Sequence, residues 1–281
     1  MTNSIKTVDE FSLKDIQHSL SDLPETIETP EFSITMFYLP FQDPTNLPVD
    51  GKYGGDSFSI KSLQDGRTFI LFRNGVDHGR TGRNAIRQNT AVLEEILAKQ
   101  VPEEDIAKKL QPVDVFERLD IVAYALNELL MRRYKNPQAT AASTLIAGTT
   151  KDGVLRYVSA GDSCLALSSG TNIRNESCLV EKKVHVGFAS INKMFKTDER
   201  FYVIREFQIS PKDRILIASD GIIEAVNEQN ELYGLNRLSA VIKAHSANGA
   251  HLISRINDDV QKFIETTPLK DDYTILILEK K

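Results

Sequence analysis

Alternating or continuous runs of apolar and β-forming residues predict strands in two parts of the chain, one before residue 75 and one after residue 138. The first run, EFSITMFYLP, predicts a strand over 31–40. Two runs on either side of an Asp-Gly turn predict a hairpin over 55–74. Similar patterns predict a three-stranded meander over 139–170 and a second hairpin over 201–221. The final strand is predicted at 273–280.

A period of three to four residues replaces this alternation in the middle of the chain and near its end. It predicts helices over 83–100, 235–246 and 249–265. A further helix is expected to begin at Pro112, because proline is well tolerated in the first turn of a helix. The apolar stripe of that helix consists of Phe116, Leu119, Ala123, Leu126 and Leu130.

The order of strands, helices, strands, helices and a final strand predicts an α+β fold. Because hairpin turns outnumber strand–helix–strand units, we expect antiparallel sheets with helices on their faces rather than a doubly wound parallel sheet. The chain has 281 residues, which suits one large domain or two small ones. Residues 1–30 are polar and are interpreted as a short N-terminal helix and a linker, and residues 31–281 as one domain.

Composition and charge exclude several classes of protein. The chain has 39 acidic and 34 basic residues, a formal charge of −5, which does not favour nucleic-acid binding. Cys164 and Cys178 form no CxxC or Cys/His pattern, so neither a disulfide framework nor a structural zinc site is expected. No signal peptide and no apolar run long enough to span a membrane is found. We therefore expect a cytoplasmic protein with no nucleic-acid or membrane partner.

Four aspartates lie where predicted strands begin or end, each beside a glycine or a short polar turn. Aspartate is common in such turns, so a structural role is the alternative for each one. If the four converge, their charges repel unless they share protons or bind a cation, and hard oxygen ligands suit Mg²⁺ or Mn²⁺. A two-metal carboxylate site can activate water for attack on a phosphate ester. The four residues are Asp56, Asp162, Asp220 and Asp271.

Six short motifs, in order, resemble those of the PPM family of metal-dependent protein phosphatases, which includes the type 2C enzymes and the SpoIIE-like branch. Each motif is unspecific by itself, but their order, spacing and strand contexts together are specific. The resemblance covers about residues 31–281. The motifs are Gly54-Gly55-Asp56, NGVDHG at 74–79, Ala142-Ser143-Thr144, Gly161-Asp162-Ser163, Ser219-Asp220-Gly221 and Asp271-Asp272-Tyr273-Thr274.

The resemblance implies a two-layer antiparallel β-sandwich flanked by helices, with two Mg²⁺ or Mn²⁺ ions at one end. It implies hydrolysis of phosphoserine or phosphothreonine on a protein substrate or regulatory partner, by metal-activated water and without a covalent intermediate. By motif match, Asp220 and Asp271 would hold the first ion and Asp56 the second. Asp162 would support a further ion, and His78 would be the general acid for the leaving alkoxide.

One position departs from the family pattern. The resemblance implies that Asn74 and Gly75 belong to the metal site, and Asn74 occupies the place of the aspartate that bridges both metal ions. An amide has one good acceptor oxygen and no charge. The preceding Arg73 is expected to point to the opposite face of its strand. Three explanations stay open: a degenerate phosphatase that binds a partner, an active enzyme in which Asp77 takes the metal, or an engineered substitution. An active enzyme is favoured, because the other acidic positions and His78 remain.

Overall fold

The computed structural model describes most of the chain, with gaps. The predicted N-terminal helix, Asp77 and His78 lie outside the described residues. The described residues are 24–39, 55–76, 79–137, 142–169, 172–175, 185–187, 202–245 and 248–281.

Two antiparallel sheets form the centre of the fold. The first sheet has six strands in the order β1-β2-β11-β10-β7-β8, and the second has five in the order β3-β4-β5-β6-β9. The six are β1 (Glu25–Glu28), β2 (Phe32–Leu39), β7 (Cys164–Ser169), β8 (Asn172–Asn175), β10 (Arg214–Ala218) and β11 (Tyr273–Lys280). The five are β3 (Asp56–Ser62), β4 (Thr68–Gly75), β5 (Ser143–Lys151), β6 (Val154–Ala160) and β9 (Arg205–Gln208).

Helices cover the outer face of each sheet. The five-stranded sheet packs against α1 (Gly79–Leu97), α2 (Glu104–Leu110) and α3 (Leu119–Arg133). The six-stranded sheet packs against α4 (Asp220–Ile223), α5 (Gly234–Ala244) and α6 (Gly249–Ile264). Within the described ranges, none of these helices combines the length and the apolar character needed to cross a bilayer.

Strand β4 shows how one segment contributes to two apolar layers. Its side chains alternate, so Phe69 and Leu71 pack toward the helices while Ile70 and Phe72 pack between the sheets. Leu276 of β11 meets them from the other sheet. The resulting four-layer arrangement, helix–sheet–sheet–helix, confirms the α+β β-sandwich predicted from the sequence.

Two strand pairings differ from the prediction. Strand β7 does not continue the meander from β6 but pairs with β10 in the other sheet. Likewise β9 pairs with β6 rather than with β10, so the predicted hairpin over 201–221 is wrong. The first crossing occurs at Gly161, whose φ of 81° gives the chain a turn that other residues rarely adopt. Alternation of apolar residues identifies a strand but not the sheet to which it belongs.

Three element boundaries also differ. Strand β1 lies inside residues 1–30, which were predicted to form a short helix and a linker, and it pairs with β2. Its sequence, ETIE, is too short and polar for periodicity to identify. Helix α3 begins at Leu119 rather than at Pro112, because an intervening turn is closed by the Asp114 carboxylate, which accepts a hydrogen bond from the backbone N–H of Phe116 at 2.8 Å. Helix α1 begins at Gly79, four residues before the predicted start.

Candidate functional site

Both sheets end at the same rim, and the candidate residues lie there. Asp56 is the first residue of β3 and is directly opposite Asn74, near the end of β4. Asp220 follows β10 and Asp271 precedes β11, and these two strands are antiparallel neighbours. Because the start of one antiparallel strand lies beside the end of its neighbour, two pairs of site residues face each other at this rim.

Two side-chain hydrogen bonds join the sheets across this rim. The Asn74 amide Nδ2 donates to Asp220 Oδ1 at 2.6 Å. The Thr274 hydroxyl donates to Asp56 Oδ2 at 2.5 Å. Asn74 is 5% exposed and Thr274 is completely buried. The two bonds connect residues far apart in sequence and fix the relative position of Asp56 and Asp220.

Asp272 is a buried member of the site that the sequence reasoning did not assign a role. Its carboxylate accepts a hydrogen bond from the backbone N–H of Gly55, which fixes the start of β3. Its carbonyl accepts a bond from the Ser219 hydroxyl at 3.0 Å. The same hydroxyl accepts from the backbone N–H of Thr274, also at 3.0 Å. The sequence signal for it was its place in the motif Asp271-Asp272-Tyr273-Thr274.

Glycines allow the beginning of α1 to approach the two strand ends. The Gly75 backbone N–H donates to the Gly55 carbonyl at 2.9 Å. A Cβ on Gly75 would lie 2.3 Å from the Gly82 carbonyl oxygen, far inside van der Waals contact. Gly75 was predicted as a metal-site residue. The structure places it beside Asn74, where its lack of a side chain lets α1 pack onto β4.

Burial and mutual repulsion raise the pKa values of two carboxyl groups at this rim. Burial raises the pKa of Asp56 well above its ordinary value, and the charges of Asp272, Asp220 and Asp271 add to the effect, while the Thr274 hydrogen bond opposes it. The pKa of Asp220 rises to about 7, first through burial and then through nearby acidic side chains. A cation or a bound proton would relieve this repulsion.

The donor chemistry of these residues fits a hard divalent cation. Asp56 Oδ1 is buried and has no hydrogen-bond partner among the described residues, so one oxygen at the rim has its bonding capacity unused. In the described ranges, no three Asp, Glu, His or Cys side chains form a ready-made metal site. Asn74 turns its N–H group toward Asp220, but rotating the amide by half a turn presents the carbonyl oxygen instead.

Asp162 lies at the margin of the cluster. Its side chain is 51% exposed, and its Oδ1 is 3.4 Å from His185 Nε2. The hydrogen bond from His185 lowers the pKa of Asp162, whereas the Asp162 charge helps to raise the pKa of Asp220. The adjacent Ser163 is linked to the site through a hydrogen bond with Thr144, which in turn bonds the backbone of Asn74. Asp162 is therefore close enough to act electrostatically on Asp220.

Hydroxyl groups of the Ala-Ser-Thr and Gly-Asp-Ser motifs hold the backbone of Asn74 in place through hydrogen bonds. The hydroxyl groups of Thr144 and Ser163 are 2.7 Å apart and hydrogen-bonded. Thr144 Oγ1 also accepts a bond from the backbone N–H of Asn74 at 3.2 Å. Ser163 and Thr144 are buried, so this chain of bonds fixes the backbone from which the Asn74 amide projects.

Arg73 points away from the site, which confirms the expectation from strand alternation. Its side chain is completely buried between β3, β4 and α1. One guanidinium nitrogen donates to the Thr90 hydroxyl at 2.5 Å and another to the Ser57 hydroxyl at 2.8 Å. The arginine therefore joins α1 to the strands that carry Asp56 and Asn74, and it does so on the face opposite the candidate metal ligands.

Comparison with protein families identifies one match. A family model described as stage II sporulation protein E (SpoIIE) matches residues 64–281, which is more than three quarters of the chain. A search of curated protein sequences finds no match to the chain.

Several solved structures share the fold at low sequence identity. The SiaA-PP2C domain of Pseudomonas aeruginosa is 16% identical, with a TM-score of 0.63 over 88% of this chain and 85% of that chain. The RsbU and RsbW domains of a Mycobacterium tuberculosis protein are 18% identical, with a TM-score of 0.59 over 92% and 62%. RsbX, solved in complex with magnesium, is 13% identical, with a TM-score of 0.55 over 92% and 100%.

Proposed function

The chain belongs to the SpoIIE family of PPM-type phosphatases, and from this membership we propose that it is a metal-dependent protein serine/threonine phosphatase acting on a phosphorylated regulatory protein. The observation that carries the proposal is the meeting of Asp56, Asn74 and Asp220 from two different sheets. The magnesium in the RsbX structure and the family motifs support a divalent metal, Mg²⁺ or Mn²⁺, as the cofactor.

In this proposal the metal ions, when bound, supply an activated water molecule for attack on the phosphoryl group. Asp220 and Asp271 would hold the first ion, and Asp56 the second through its unused Oδ1. Thr274 bonds Asp56 Oδ2 and leaves Oδ1 without a hydrogen-bond partner among the described residues. Asn74 would contribute its carbonyl oxygen after rotation of the amide. Asp77 and His78 retain their proposed roles as an alternative ligand and as general acid.

A second candidate function is supported by the hydrogen bond between Asn74 and Asp220. In this bond an amide N–H occupies a carboxylate oxygen that a metal ion would need, and Asn74 supplies no compensating negative charge. A pseudophosphatase that binds a phosphoprotein or regulatory partner without turnover would keep the fold and this bond. The two candidates share the site and differ in whether it binds metal ions and turns over substrate.

Turnover of a model substrate separates the two candidates. We would measure hydrolysis of p-nitrophenyl phosphate and of a phosphoserine peptide with Mn²⁺, with Mg²⁺ and with a chelator, for wild type and Asp220→Asn. The exposed Asp258→Asn on α6 is the matched control. We expect the chelator and Asp220→Asn each to abolish turnover. Asp258→Asn should not abolish it. Turnover that resists either treatment would contradict a metal-dependent enzyme, and its complete absence in wild type would favour the pseudophosphatase.

A further inference from the structure

A histidine outside all six motifs lies beside the site. His185 is in the short described segment 185–187, in which Val186 forms an antiparallel bridge with Ser143 at the start of β5. The Ser143 N–H donates to the Val186 carbonyl at 3.1 Å, and the Val186 N–H donates back at 3.0 Å. His185 is thereby joined to the same sheet edge that carries Asn74, although about one hundred residues separate the two in sequence.

Two buried asparagines from different helices fix this segment and its bridge partner Ser143. Asn127 of α3 accepts a hydrogen bond from the Gly187 N–H at 2.9 Å, and Asn89 of α1 accepts one from the Ser143 hydroxyl at 3.0 Å. Both asparagines are completely buried. Burying an amide is unfavourable unless it is hydrogen-bonded, and here one buried amide bonds the segment itself and the other bonds Ser143, the residue that the segment bridges.

The turn before β7 is shaped to receive the imidazole ring. Gly161 has a φ of 81°, and a Cβ on it would lie 2.9 Å from Cδ2 of His185 and 2.6 Å from Cγ2 of Thr144. The ring therefore packs where any other residue at 161 would place its side chain. In this position His185 Nε2 reaches Oδ1 of the next residue, Asp162, at 3.4 Å.

We propose that His185 is a positioning residue that holds the Asp162 carboxylate at the rim of the site, where its negative charge favours a divalent cation at Asp220. The inference rests on the proposed function. Asp162 is half exposed and, without the imidazole, its side chain would be free to turn into solvent. Outer-shell hydrogen bonds of this kind orient carboxylates in metal sites, and losing one typically weakens metal binding by about 10- to 100-fold.

Calorimetric titration of the metal-free chain with MnCl₂ tests this role without relying on activity. We expect His185→Ala to raise the Kd for Mn²⁺ by about tenfold or more. His185→Gln should keep most of the affinity, because its side-chain amide can donate to Asp162 in place of Nε2. His251→Ala, which removes a histidine on α6, is the matched control and should leave the Kd unchanged. Circular dichroism verifies that each variant is folded.

A double-mutant cycle separates positioning from a general structural effect. In an Asp162→Asn background, His185→Ala should produce no further loss of Mn²⁺ affinity, because the carboxylate that it positions is gone. An unchanged Kd in His185→Ala, an equal loss in His185→Gln, or an undiminished loss in the Asp162→Asn background would overturn the inference. If wild type binds Mn²⁺ but does not turn over substrate, only the proposed phosphatase activity is contradicted. If wild type binds no Mn²⁺, both the proposed phosphatase activity and the role of His185 are overturned.

Discussion

The side-chain amide of Asn74 donates a hydrogen bond to Asp220 and thereby joins the two sheets at the candidate site. The bond places the partial positive charge of the amide N–H beside the Asp220 carboxylate, where the family resemblance implies a metal ion. Asn74 therefore reduces the repulsion around Asp220 without a cation, and it also competes with a cation for the same oxygen. Both consequences can be measured through substitution of this single residue.

Asn74→Asp should strengthen metal binding and weaken the metal-free protein. The new carboxylate adds a negative charge beside Asp56 and Asp220, whose pKa values are already raised, so the metal-free chain loses stability. With Mn²⁺ bound, the same charge becomes favourable, and phosphatase turnover should rise. We expect the melting temperature to fall below that of wild type in chelator and to exceed it in Mn²⁺. Thermal unfolding and p-nitrophenyl phosphate hydrolysis measure the two effects.

Equal behaviour of Asn74→Asp and wild type in Mn²⁺ would count against a role of Asn74 in metal binding. If Asn74→Asp and wild type show equal turnover and equal stabilisation by Mn²⁺, the Asn74 position does not contact the metal and Asp77 becomes the better candidate. Asp258→Asn, on the exposed surface of α6, provides the reference for a charge change remote from the site.

The stability of the metal-free chain should depend on the protonation of Asp220. Its pKa rises from an ordinary 3.8 to about 7 in the folded state, so folding favours the protonated form. The stability gained from this proton is fully present below pH 3.8 and is lost as the pH rises to about 7. For this group alone the loss is on the order of 4 kcal/mol. Asp56 acts in the same direction.

Urea unfolding in chelator between pH 4 and 8 measures this dependence. Carboxylates with lowered pKa values, such as Asp162, act in the opposite direction, so the comparison with a variant is the informative quantity. Asp220→Asn should gain stability relative to wild type as the pH rises, whereas Asp258→Asn should follow the wild-type curve. A constant difference between Asp220→Asn and wild type at every pH would refute the shifted pKa.

Two buried serines should respond differently to replacement by alanine. Ser219 bonds both the Asp272 carbonyl and the Thr274 N–H, so Ser219→Ala leaves two buried backbone groups unsatisfied and should cost about 1–3 kcal/mol. The Ser59 hydroxyl in β3 is buried and has no hydrogen-bond partner in the part of the chain that the structure describes. Ser59→Ala should therefore be neutral or stabilising. Urea denaturation of the two variants checks the difference, and equal losses would disprove the role of Ser219.

Gly75→Ala should separate the start of α1 from the site. The new Cβ would lie 2.3 Å from the Gly82 carbonyl, and relieving such an overlap costs about 1–3 kcal/mol. At Gly55 the nearest atom would be the Cα of Gly82 at 3.2 Å, so Gly55→Ala serves as the milder comparison. We expect a larger fall in melting temperature and in Mn²⁺ affinity for Gly75→Ala. The reverse order would show that α1 does not depend on this contact.

Periodicity identified most long elements but not their neighbours. The strand at 273–280 and the helix at 249–265 were predicted almost to the residue, because each has a regular apolar face. The chain crosses from one sheet to the other at Gly161, and this crossing places β7 in the six-stranded sheet. Which sheet the strand joins depends on which partner strands bury more apolar surface with it. No local sequence pattern indicates which sheet the strand joins. The four residues of β1 gain their structure from pairing with β2 alone.

The candidate site was partly predictable for a similar reason. Asp56 and Asp220 stood in recognisable turns beside glycines, and the structure brings them together. Asp272 was part of a motif but had no assigned role, and its role, like that of His185, is indicated by contacts that the fold creates with Gly55 and Asp162. The direction in which the Asn74 amide faces also follows from its neighbour across the sheets. Sequence therefore indicated the kind of residues in the site better than it indicated their partners.

Strand β11 is the last described strand in sequence, yet it lies between β2 and β10. On the ribosome, β2 emerges early and must wait for residues 273–280 before its inner edge is paired. Asp271 and Asp272 emerge with the same segment, so the nascent chain lacks these two carboxylates of the candidate site until that point. Until then the chain exposes an unpaired edge of β2 that chaperones can recognise, and the pairing of β11 with β2 and β10 joins the two parts of the six-stranded sheet.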